Sequence, residues 1–113
     1  MIEKTVLNYL DGVLDVPVYM ERQKNAAAPY VLIELTAGDE ANHIRNATVA
    51  VQSYAKSLYE AAELNDKVLK AMADIDGLTN VSKCSINSYY NYTNTTTKEY
   101  RYQAVFDLVY MED

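Results

Sequence analysis

Tryptophan is absent from this 113-residue chain, and histidine and cysteine occur once each, at His43 and Cys84. One histidine leaves any imidazole-based acid–base pair or triad a single candidate. His43 stands in a polar stretch with no serine or cysteine nucleophile motif beside it, so an exposed or interface side chain is expected. A lone cysteine forms no intramolecular disulfide. Cys84 lies in a pattern of β character, where a small buried residue is the default. No Cys-X-X-Cys or His-X-X-X-His spacing supplies a zinc-type ligand set. Glycine occurs only at 12, 38 and 77, which excludes a glycine-rich phosphate loop. Adjacent Asp39 and Glu40 lack the regular acidic spacing of a calcium loop, and a solvated turn is the simpler reading. No catalytic residue, cofactor or metal is therefore assigned, and the chain is not read as an enzyme.

Three glycines and two prolines are too few for a disordered linker. No stretch approaches the ~18 apolar residues of a membrane span. The N-terminus lacks the basic end, apolar run and cleavage site of a signal peptide, so the chain is expected to be made and kept in a reducing cytoplasm. The Asn-X-Ser/Thr triplets at Asn46, Asn80, Asn91 and Asn94 carry no weight as glycosylation sites in that setting. Positive charge is also scarce. Ten basic against 16 acidic residues give a net charge of −6, with no basic cluster to hold phosphates. Acidity spread in this way serves solubility, and near DNA it would let the backbone slide past.

What is present suffices for one compact domain over residues 1–113, half of whose residues are hydrophobic. Ile2, Val6, Tyr9, Leu10 and Val13 fall at helical spacing, with Gly12 a plausible stop. A short extended piece around Val18 follows Pro17, which confines it to a strand start or a sheet edge. A strand with Val31, Ile33 and Leu35 on one face comes next, and another with Ala47, Val49 and Val51. Between them, residues 37–43 are expected to form a long, polar, projecting link. Ser57 and Glu60 fit a capping box before an apolar stripe of Leu58, Ala61, Leu64, Val68, Ala71, Met72 and Ile75. Asp76-Gly77 should end that helix, with Gly77 in the left-handed conformation.

The last third alternates as a β-hairpin. Cys84, Ile86, Ser88, Tyr90 and Tyr92 are expected on one face of its first arm. Tyr100, Tyr102, Ala104, Phe106, Leu108 and Tyr110 share one face of the second, and residues 91–97 form a polar tip. The expected fold is α+β: an open, mainly antiparallel sheet of four to five strands with two helices on one face, in the order α-β-β-β-α-β-β. Several strands carry apolar or aromatic residues on both sides, so the helix-free face needs a partner or stays sticky.

Tyrosine is abundant, 11 against one phenylalanine, and Tyr89, Tyr90, Tyr92, Tyr100 and Tyr102 crowd the final hairpin. Cross-strand pairing within the chain is one explanation. A surface exposed in the monomer and buried in a complex is another, since tyrosine joins apolar area to a polar tip. Stacking on single-stranded nucleic acid is a third, weakened because only Lys83, Lys98 and Arg101 lie near.

The run from Asn42 to Ala55, its continuation from Ser57 to Asn65, and the run from Tyr100 to Leu108 together resemble tail terminator (tail completion) proteins of phages and prophages of Gram-positive bacteria. The likeness covers most of the chain and contains no chemical signature. It implies a structural virion assembly protein. Such a subunit forms a hexameric ring at the head-proximal end of the tail tube, stops tube polymerisation and docks onto the head-completion (stopper) protein. Implied partners are copies of the chain itself (some such proteins are monomeric before assembly), the tail tube protein and the stopper, with DNA only as passing cargo and no membrane. The implied location is the host bacterial cytoplasm during assembly and then the virion tail. Subunit contacts are placed on Arg45, Tyr89, Tyr100, Arg101 and Tyr102. Lumen or partner contacts are placed on Asp39, Glu40 and His43 and on the tip residues Asn91 and Asn94. Another head–tail joining component, such as a stopper or adaptor, and a ligand- or single-strand-binding module on the Tyr-rich sheet remain as alternatives.

Overall fold

The computed structural model describes residues 1–111. Helix α1 (Ile2–Val13) is followed by a short strand β1 (Val18–Tyr19) and the long strands β2 (Tyr30–Ala41) and β3 (Ile44–Ala55). Helix α2 (Leu58–Met72) leads through a 3-10 turn (Ile75–Gly77) into β4 (Val81–Asn91) and β5 (Tyr100–Tyr110). The five strands form one sheet in the order β1-β2-β3-β5-β4, in which only the β1–β2 pairing is parallel. This is the expected α+β architecture with the expected order of elements. Among the described residues no helix is long and apolar enough to cross a membrane.

One face of the sheet carries the core. Ile2, Val6 and Leu10 of α1 and Leu64, Val68 and Met72 of α2 pack with Val31 and Ile33, Val49 and Val51, and Ala104, Phe106 and Leu108. Phe106, at the middle of β5, is wholly buried, and its removal should cost about 3–5 kcal/mol. The α1 stripe is narrower than its sequence spacing suggests. Tyr9 is half-buried, donating its hydroxyl to Ala71 O at 2.6 Å, and Val13 is exposed. Ser57 Oγ accepts the Glu60 amide at 3.2 Å, so the N-terminus of α2 is capped where its sequence predicts.

Three local expectations are corrected. Helix α2 ends at Met72 with Ala73 still right-handed, and no glycine has a positive φ, so Gly77 is no left-handed cap. A 3-10 turn with Leu78 N donating to Ile75 O makes the exit instead. The supposed link of residues 37–43 is mostly strand. Pairing of β2 with β3 continues to Ala41↔Ile44, and the turn is only Asn42-His43. Both turn residues have positive φ, 53° and 68°, the mirror-image geometry whose twist matches a two-residue hairpin.

The third correction concerns β4. A bulge between Ile86 and Ser88 inserts one residue, so the alternation changes face there. Ile86 lies opposite Phe106 on the helix side, whereas Ser88 and Tyr90 lie opposite Val105 and Gln103 on the helix-free side. Tyr89, opposite Ala104, moves to the helix side in exchange. A strict period of two could not carry this shift.

Candidate functional site

The helix-free face is not bare. A row of side chains crosses the full width of the sheet at its Tyr30–Tyr54 end. Tyr19 on β1 tilts against Tyr30 on β2 at 5.9 Å between centroids, and Tyr30 stacks on Tyr54 of β3 at 4.6 Å. The Arg101 guanidinium lies over both Tyr54 and Tyr92, at 5.6 Å and 4.5 Å, and Tyr92 meets Tyr90 edge-on at 6.0 Å. Arg101 also donates to the Tyr54 hydroxyl at 2.9 Å and to Tyr92 O at 2.7 Å. Beside this row, the Gln52 amide donates to Gln103 at 2.7 Å, and Gln103 donates to the Tyr90 hydroxyl.

The row amounts to a second, smaller core. Tyr30 and Tyr54 are 5% and 3% exposed although no helix shields them. Residues 20–29 help close this end: Ala26 and Ala28 line a depression with Tyr30, Tyr54 and Tyr100, and Arg22 pairs with Glu99. Burial raises the Tyr30 phenol above its ordinary value, and neighbouring Tyr54 adds to the shift while Arg22 and Arg101 oppose it. Of the five hairpin tyrosines, Tyr90 and Tyr92 are thus engaged in this row within the chain.

Two surfaces stay open, at opposite edges of the sheet. The first is β4, an edge strand that meets the helical layer chiefly through the 3-10 turn. On its helix side Ile86 and Tyr89 are 53% and 55% exposed, and on the other side Tyr90, and Tyr92 just past its end, are each 42% exposed. The second is the arm formed by the distal halves of β2 and β3. From Glu34 to Ala41 eight successive strand residues are exposed, because the arm outruns the helices. Its edge is free beyond Leu32, where β1 stops.

The sequence-derived contact residues separate between these places. Arg45 is on the arm, where its Nε donates to Glu40 at 3.0 Å. Its position in β3 lies ten residues from that of Ala55, the partner of Tyr100, which is roughly 33 Å along a strand. Tyr89 is exposed on β4 and Tyr100 and Tyr102 are half-buried nearby, while Arg101 is engaged by Tyr54 and Tyr92. Asp39 and Glu40 are strand neighbours, so they point to opposite faces of the arm and a single channel wall takes only one of them. Asp39 accepts from Asn46 at 3.0 Å. His43 is exposed at the turn.

The tip between β4 and β5 is organised by its own hydrogen bonds. Asn91 Oδ1 accepts the Thr93 amide, Asn94 Oδ1 accepts those of Thr96 and Thr97, and Asn94 bridges Glu99. Through Glu99 and Arg22 the tip is tied back to residues 20–29. The bulge at β4 has no signal in the local sequence; at it, the Asn87 amide donates to Asp107 at 3.0 Å, beside Thr48, which donates to the same carboxylate at 2.8 Å.

Cys84 is half-buried against the core, and its thiol is pushed up to about 11 by burial, with the carboxylates of Asp76 and Asp107 adding to the shift. Such a thiol is a poor nucleophile at neutral pH. Among the described residues no group of three or more His, Cys, Asp or Glu side chains is placed to hold a metal ion. The arrangement offers strand edges, apolar side chains and oriented amides, which are the materials of a protein–protein contact. Comparison with protein-family models finds no match, and comparison with curated proteins finds none either.

Proposed function

We propose that this chain is a structural assembly subunit of the tail terminator type. Copies form a ring at the head-proximal end of a phage tail tube. The ring stops addition of further tube protein and presents a surface to the head-completion (stopper) protein, while DNA passes through as cargo. In this reading the subunit is assembled in the host bacterial cytoplasm and ends in the virion tail.

The observation that carries the reading is the pair of open edges on one small domain. An eleven-residue strand lies free at one side of the sheet, and an arm with eight successive exposed strand residues lies at the other. Monomeric proteins usually blunt or cover such edges, whereas assembly subunits use them. The sequence resemblance supplies the kind of assembly. Burial of Tyr30 and Tyr54 weighs against a base-stacking platform on this face, because the rings at its centre are already occupied.

Deleting the gene from its phage tests the proposal. Overlong tails detached from filled heads are the expected phenotype. Tails of normal length that fail to join heads would instead assign the chain to a stopper or adaptor, and normal virions would remove it from head–tail joining altogether.

A further inference from the structure

We infer that copies of this chain join by continuing one another's sheet, the outer edge of β2 beyond β1 in one copy pairing with the outer edge of β4 in the next. The inference specifies how subunits meet and rests on the ring reading for its closed outcome.

Both edges exist in every copy. β1 occupies β2 only at Val31 and Leu32, and beyond it the outer backbone groups of residues 33–41 face no other strand among the described residues. Among the described residues β4 is paired on one side only, with β5. Strand direction is compatible: β2, β3, β5 and β4 alternate, so an unflipped second copy sets its β2 antiparallel to the β4 of the first. Antiparallel order then runs unbroken through the junction.

Charge selects among the possible pairings. The free part of β2 carries Glu34, Asp39 and Glu40, of which only Glu40 is paired with a cation among the described residues, Arg45 of β3, whereas β4 carries Lys83 and no carboxylate. Pairing β2 with β2 would set acidic edges against each other. Pairing β4 with β4 closes a dimer and leaves both arms open. Pairing β2 with β4 joins opposite charges and uses both edges of every copy. Such a head-to-tail contact generates a ring or a filament. Bulges between Leu35 and Ala37, between Val81 and Lys83 and between Ile86 and Ser88 limit regular pairing to short segments. The contact is therefore weak, as suits subunits that assemble on a template.

Zero-length carbodiimide coupling of the concentrated protein, with cross-linked peptides identified by mass spectrometry, tests the inference. Lys83 and the carboxylates of Asp39 and Glu40 lie three strand spacings apart within one copy, roughly 14 Å, so their coupling reports contact between copies. Mixing isotopically light and heavy protein verifies this. A ladder of products beyond the dimer, joined through Lys83 and Asp39, which share the helix-free face, is expected. Sedimentation should show Lys83→Glu losing self-association and the combination of Lys83→Glu with Asp39→Lys recovering it. Both side chains are exposed, and unchanged melting would show that the variants fold. A product that stops at the dimer overturns the inference, as does absence of any product. A ladder joined through other residues also overturns it while leaving the ring standing, since the tail-length phenotype is read independently.

Discussion

Tyr30 and Tyr54 are register partners on neighbouring strands, and their rings stack 4.6 Å apart with planes 13° from parallel. The stack sits on the side of the sheet that has no helix. A small domain has thereby built a second layer centred on aromatic side chains, braced by Arg101 over the Tyr54 ring.

Removing that layer should cost as much as opening the main core. Tyr54→Ala is expected to destabilise by about 3 kcal/mol, in line with other buried aromatic truncations. Tyr54→Phe keeps the stack but loses the hydrogen bonds to Gln52 and Arg101, and should cost about 1 kcal/mol. Urea denaturation of both variants measures the difference. Equal, small losses would mean that the stack contributes little.

Ile86 and Tyr89 should behave oppositely. Both are more than half exposed, so Ile86→Ser and Tyr89→Ser are expected to change folding stability by under about 0.5 kcal/mol. If β4 meets partners, the same variants should lower the yield of joined particles in phage complementation. Wild-type yield from a doubly substituted chain would refute a role for this edge.

The turn at Asn42-His43 offers a gain. His43 holds a φ of 68°, a region where a β-carbon is strained and glycine is not. His43→Gly should therefore stabilise the hairpin, by up to about 1 kcal/mol, and raise Tm. Loss of assembly by this better-folded variant would place His43 in a partner contact.

Alkaline pH should destabilise the fold in a predictable window. The Cys84 thiol is raised from 9.0 to about 11 in the folded chain, so its contribution is fully present below about pH 9. As pH climbs from 9 to 11 the unfolded thiol ionises before the folded one, and that contribution is lost. Tyr9, raised by burial and then by Asp74 and Asp76, and Tyr30 shift in the same direction at higher pH. Cys84→Ala should flatten the fall in Tm between pH 9 and 11. A slope unchanged by this variant would contradict the assignment.

Much of this was legible in the residues themselves. Periodicity marked Val6 and Leu10, the Ser57 cap, the Leu64–Val68–Met72 stripe and the alternation of β5, because each depends on neighbours within one turn or one strand. Those signals sufficed for the fold class and for the order of its elements. They also pointed to tyrosine as the unusual feature.

Tertiary pairing decided the rest. The bulge before Ser88 moved Tyr89 and Tyr90 to opposite faces from those their spacing suggested, since one inserted residue reverses every side chain after it. Residues 37–41 became strand despite their polar character, because β3 offered them partners and the helices did not reach far enough to require an apolar face. Which tyrosines are sealed and which stay open follows from the same cause. Local sequence sets a side chain's preferences, but only the neighbouring strands determine what it faces.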